Sequence, residues 1–84
     1  LIFKLLYTKE AAKQISKFDH SVKDRIRVAL ERLSFHPELG KPLTGFLAGR
    51  FSYRVGNYRI IYKILKHEVV VLVLTVGHRR EVYG

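Results

Sequence analysis

Six apolar residues in a row, Val69-Val70-Val71-Leu72-Val73-Leu74, limit how this chain can fold. β-Branched side chains dominate the run, and it is far too short to cross a bilayer as a helix. A strand that is apolar on both faces belongs inside a sheet, covered by helices on at least one side. The rest of the chain must therefore supply neighbouring strands and a helical layer. The 84 residues contain no repeat, linker or low-complexity tract, so they are expected to form a single domain, residues 1–84.

The remaining elements follow from periodicity. Residues 2–7 read as a strand, with neither the basic start nor the small-residue cleavage site of a signal peptide. Thr8 is placed to cap a helix over about 8–19, whose apolar face is Ala11, Ala12, Ile15 and Phe18. Ser21-x-x-Asp24 resembles a capping box and predicts a second helix from Ser21 to about Phe35, facing inward through Val22, Ile26, Ala29, Leu30 and Leu33. The short link between them makes a helical hairpin. His36-Pro37-Glu38-Leu39-Gly40-Lys41-Pro42 reads as a loop. Residues 49–55 alternate as a strand, Gly56-Asn57 reads as a type II′ hairpin turn, and 58–65 return as its partner. A turn near Lys66-His67 then leads into the apolar strand 68–76, which ends at Gly77 without a C-terminal helix behind it. The fold class is α+β: β-α-α-β-β-β, a helical hairpin on a small, mainly antiparallel sheet.

Charge narrows the function. Sixteen Lys and Arg against seven Asp and Glu give +9 at pH 7. A compact chain this small repels itself at that charge, which favours a polyanion or an acidic protein as partner. No acidic residue stands between Glu38 and Glu68, where Lys41, Arg50, Arg54, Arg59, Lys63 and Lys66 alternate with Phe46, Phe51, Tyr53, Tyr58 and Tyr62. Cations for phosphates and flat rings for bases suit a nucleic acid, with Lys41, Arg50 and Lys63 as RNA-binding candidates. Lys9, Lys13 and Lys17 recur every four residues as a cationic stripe on the first helix. The stripe is either a solvated helix surface or a docking face for RNA or an acidic partner. The absence of Cys excludes disulfides, thiolate metal sites and a cysteine nucleophile, and fits a reducing, cytoplasmic setting.

The hairpin register places Arg54 directly opposite Arg59. Like charges across a strand pair destabilise a sheet. Either both side chains splay into water, or an anion between them turns repulsion into a clamp. Beyond the apolar strand come His78, Arg79, Arg80 and Tyr83, at the end of the sheet toward which Arg59 also points. No carboxylate pair, metal-ligand spacing, phosphate-binding glycine loop or serine elbow is present, so neither metal nor cofactor is expected. Cations with an imidazole and a phenol fit the cleavage of RNA, which brings its own 2′-hydroxyl nucleophile and needs alignment, charge neutralisation and proton transfer. His78 or Tyr83 would carry the proton, since an arginine stays protonated.

Along nearly its whole length the chain resembles the RelE/ParE superfamily of toxins from bacterial and archaeal toxin–antitoxin pairs. The resemblance lies in the element order, in Leu43-Thr44-Gly45, in Tyr53-Arg54-Val55-Gly56-Asn57-Tyr58-Arg59-Ile60-Ile61-Tyr62 and in Val76-Gly77-His78-Arg79-Arg80-Glu81-Val82-Tyr83. It implies a RelE-type enzyme that cleaves mRNA in the ribosomal A site, stops translation, and is neutralised by a small acidic RelB-like antitoxin in a hetero-oligomer. By position it implies that Arg59 stabilises the phosphate, Arg79 is the second catalytic arginine, Tyr83 stacks on or orients the scissile nucleotide, and Arg54 holds RNA or helps activate the 2′-hydroxyl. Ser52 stands where some active members carry a basic residue, and Arg80 is an alternative to Arg79. A ParE-like toxin that poisons DNA gyrase, or an inactive basic RNA- or protein-binding homologue, are the competing expectations.

Overall fold

The apolar run becomes β5, Val70–His78, in a computed structural model that describes residues 1–82. Its neighbours are β1 (Lys4–Tyr7), which runs parallel to it, and β4 (Tyr58–Leu65), which runs antiparallel. β3 (Phe51–Val55) pairs with β4, and the short β2 (Lys41–Pro42) pairs with β3. The five-stranded mixed sheet has the order β1-β5-β4-β3-β2. Two helices, α1 (Lys9–Ser16) and α2 (His20–Phe35), cover one of its faces.

Alternation decides which side chains meet the helices. Ile60 and Tyr62 of β4 and Val71, Val73 and Val76 of β5 are fully buried against Ala11, Ile26, Ala29, Leu30 and Leu33. Phe51, Tyr53 and Val55 of β3 and Tyr58 of β4 pack on the rim of the same cluster. A register shift in the β4–β5 pairing next to Ile61 and Tyr62 keeps Val73 and Val76 on one face although they are three residues apart. The remaining positions, Arg54, Arg59, Ile61 and Lys63 among them, belong to the face away from the helices.

Several boundaries differ from the sequence reading, each for a local reason. Thr8 caps α1 as expected, accepting a hydrogen bond from the Ala11 N–H, but the helix ends at Ser16. There the Ser16 hydroxyl donates to the Lys13 carbonyl. α2 begins at His20, because Asp19 rather than Ser21 is its N-cap; the Asp19 carboxylate accepts from the Val22 N–H and the Ser21 hydroxyl. These hydrogen bonds, the Val22 N–H foremost, hold the Asp19 carboxyl below its usual pKa. The expected loop 36–42 contains a single 3-10 turn, Pro37–Leu39, and then β2. β5 starts and ends later than expected, and a helical turn, α3 (Arg79–Val82), follows it where none was expected.

The Gly56-Asn57 turn holds as read: Gly56 has φ 58° and no other residue of the turn has a positive φ. Where β1 ends, α1 takes over the edge of β5. The Thr8 hydroxyl donates to the Leu74 carbonyl at 2.7 Å, and Gln14 Oε1 accepts from the Val76 N–H at 2.7 Å and the Thr75 hydroxyl at 3.0 Å. No helix among the described residues is long and apolar enough to cross a membrane.

Candidate nucleic-acid interface

Arg54 and Arg59 are paired across the β3–β4 hairpin, as the turn dictates. On its other side Arg59 faces Gly77 of β5. A glycine presents no side chain at that register position of β5. Among the described residues Arg59 Nη1 is buried without a hydrogen-bond partner, although Arg59 as a whole is only half-buried. A buried, unpartnered cationic donor is costly, about 1–3 kcal/mol or more. Arg54 is exposed, and its Nε donates to the Gly56 carbonyl at 3.3 Å. Among the described residues, the ion pairs lie on α2 and between His36 and Glu38, and none involves Arg54, Arg59, Arg79 or Arg80.

Arg79 opens α3, and its backbone N–H donates to the Asn57 carbonyl at 2.8 Å. That bond brings its backbone to the hairpin turn that separates Arg54 from Arg59. Arg80 is the next residue and is exposed. Tyr83 lies outside the described residues. The sheet does not bring His78 to the arginines: it pairs with Tyr58 and meets that ring edge-on on the helix side, with centroids 5.8 Å apart. Its Nδ1 accepts a long hydrogen bond from the Arg80 N–H.

On the same face as Arg59, Ile61 lines a groove of about 510 Å³ with Thr8, Glu10, Leu47, Arg50, Leu74 and Thr75. Arg50 was expected from the sequence; Thr8 and Glu10 were not, because they arrive from a distant segment, and Leu47, three residues before Arg50, carries no charge that would have marked it. Lys63 follows Ile61 along that face of β4, and Lys41 pairs with Ser52 across β2 and β3. Lys9, Lys13 and Lys17 are exposed on or at the end of α1, and none lines the groove. The aromatic half of the interleaved pattern also divides. Phe51, Tyr53, Tyr58 and Tyr62 pack toward the helices, and Phe46 alone of that set is fully exposed. Period-2 alternation, which sends basic and aromatic residues of a strand to opposite faces, accounts for that split. No cluster of three or more metal-ligating side chains occurs among the described residues.

A family model described as the ParE toxin of a type II toxin–antitoxin system, parDE, matches residues 5–83. Toxin RelG of Mycobacterium tuberculosis is 37% identical over 70 residues, 76% of this chain and 80% of RelG. The chain belongs to the RelE/ParE family of type II toxins. Solved toxin structures agree. The toxin of the RelBE2 toxin–antitoxin complex from Mycobacterium tuberculosis superposes with a TM-score of 0.86 and 33% identity, covering 94% of this chain and all (100%) of that one. The isolated RelE toxin of Escherichia coli gives 0.80 at 26% identity, covering 96% and 90% of the two chains. The toxin thus has the RelE architecture, with Arg54 and Arg59 on the sheet face that the helices leave open and in no ion pair among the described residues.

Proposed function

We propose that this toxin cleaves messenger RNA in the ribosomal A site, with Arg59, Arg54 and Arg79 gathered around the scissile phosphate. The observation that supports it is the buried, unpartnered Nη1 of Arg59, set opposite a glycine and beside a second arginine. A phosphate oxygen would satisfy that donor, and the guanidinium fork matches two such oxygens at once.

In the reaction the RNA 2′-oxygen attacks phosphorus, the bond from phosphorus to the 5′-oxygen breaks, the departing 5′-oxygen takes a proton from solvent, and a 2′,3′-cyclic phosphate and a 5′-hydroxyl result. Charge grows on the non-bridging oxygens in the transition state. Arg59, held in the middle of the sheet, and Arg54 across from it would stabilise that charge. Arg79 comes to the same end of the sheet from the chain after β5. Tyr83, four residues beyond Arg79, orients the nucleotide. The arginines stay protonated throughout, so the 2′-hydroxyl proton leaves to a group other than a guanidinium. With His78 on the helix side, Tyr83 or solvent is its first acceptor.

The usual partner is an acidic antitoxin of the RelB type, which the basic surface of a +9 chain would hold in a hetero-oligomer. Solved relatives include RelBE complexes from Mycobacterium tuberculosis and Escherichia coli. The matching family is described as ParE toxin, and the competing reading is a ParE-like toxin that poisons DNA gyrase without cutting RNA.

Both targets can be assayed on one preparation. Ribosomes programmed with a defined mRNA should yield A-site cuts, read by primer extension, that disappear with Arg59→Ala, while gyrase supercoiling is unaffected. Inhibition of gyrase with intact mRNA would overturn the nuclease reading.

A further inference from the structure

We propose that Phe46 is a stacking platform for an RNA base at the mouth of the groove on the open sheet face; this rests on the RNA-cleaving reading and deepens it. Phe46 is 105% exposed, an unusual state for a ring that gains so much from burial. It is not a frayed tip. Its 3-10 turn, Gly45–Leu47, is held by hydrogen bonds from the Leu47 N–H to Thr44, from the Ala48 N–H to Gly45 and from the Arg50 N–H to Leu47. The Arg50 guanidinium also donates to the Phe46 carbonyl at 3.3 Å. The fold therefore fixes the backbone and leaves the ring in water. The next residue, Leu47, and Arg50 both line the groove that Ile61 shares with the Arg59 face.

The charge beside the ring favours a nucleobase as its occupant. Gly45 and Gly49 have positive φ, 64° and 89°, and open space where a Cβ would stand, which leaves room beside the ring, and the partly exposed Leu47 extends its apolar surface toward the groove. A single flat ring beside a guanidinium suits a base and its phosphate, and base–aromatic stacking tolerates any sequence. No acidic residue lies between Glu38 and Glu68, and Glu10 of α1 is the one carboxylate among the described residues that line the groove, opposite Arg50 in charge.

The chain has no Trp, so Phe46→Trp introduces a unique fluorophore at the platform. Titrated at low salt with a short single-stranded RNA, the indole should be quenched; inorganic polyphosphate of matched charge should bind without quenching. Phe46→Ala should bind the RNA about 10-fold more weakly and raise KM on programmed ribosomes with kcat little changed, and Phe46→Tyr should restore both. Thermal unfolding of Phe46→Ala should match the wild type, since the ring buries nothing. Absence of quenching, or RNA affinity and KM unchanged in Phe46→Ala, overturns the platform while leaving wild-type cleavage intact. So does a Phe46→Ala variant that loses only its hold on an acidic antitoxin peptide. Quenching by RNA in a protein that fails to cut programmed ribosomes supports the platform and counts against the cleavage reading alone.

Discussion

Tyr62 shows what one hydroxyl holds in a chain this small. It is fully buried, donates to the Pro37 carbonyl at 2.6 Å and accepts from the Gly40 N–H at 2.9 Å. Those two bonds tie the segment between α2 and β2 to the middle of the sheet. The approach is close enough that a Cβ at Gly40 would collide with the Tyr62 hydroxyl. Tyr62→Phe should keep the ring stack with Phe51 but leave two buried backbone groups unpaired, a loss of about 2–3 kcal/mol in chemical denaturation. Burial pushes the phenol up to about 12 from its usual value near 10. A folded-state pKa raised above the unfolded one stabilises fully below pH 10 and is lost as pH rises toward 12. The wild type should therefore lose stability across that alkaline window, and Tyr62→Phe should not show that component. The sequence marked Tyr62 only as an aromatic among cations. Its hydroxyl contacts lie on residues more than twenty positions away, where no local pattern reaches.

At the scale of elements, hydrophobic periodicity made most of the layout readable. The span of β4, the Gly56-Asn57 turn and the opposition of Arg54 to Arg59 follow from a two-residue turn alone, because such a turn leaves no freedom of register. The start of α2 was misread because Asp19 and Ser21 are both good caps, and only the hydrogen bond to Val22 shows which one acts. β2 escaped notice because two residues carry no period; the strand exists through its pairing with β3. His78 was grouped with the arginines by sequence proximity, but alternation along β5 sends it to the helix side. The same logic predicts the weight of Gln14. Its side-chain oxygen covers the edge of β5 that β1 is too short to reach. Gln14→Leu keeps size and helix propensity but strands the Val76 N–H. Unfolding free energy should fall by about 1–3 kcal/mol, and the Val76 amide should exchange faster by hydrogen exchange. Unchanged exchange at Val76 would show that the oxygen is dispensable.

The whole molecule carries +9, with Arg54 and Arg59 on one sheet face and in no ion pair among the described residues, and this charge bears on its stability. Self-repulsion should be relieved by screening, so the melting temperature should rise as salt goes from near zero to about 0.1 M, and rise further with polyphosphate at equal ionic strength. A melting temperature that falls with added salt would mean that attractive charge pairs dominate instead. Under the proposed function, arginines brought together to bind a phosphate are expected to cost stability in the free protein. Arg59→Met keeps side-chain length and removes the buried, unpartnered cation. The direct test is single-turnover cleavage on programmed ribosomes, measured beside thermal unfolding of the same Arg59→Met protein. Cleavage should slow by about 100-fold or more while the melting temperature stays level or rises. Wild-type cleavage with a lowered melting temperature would make Arg59 a structural residue and contradict the account.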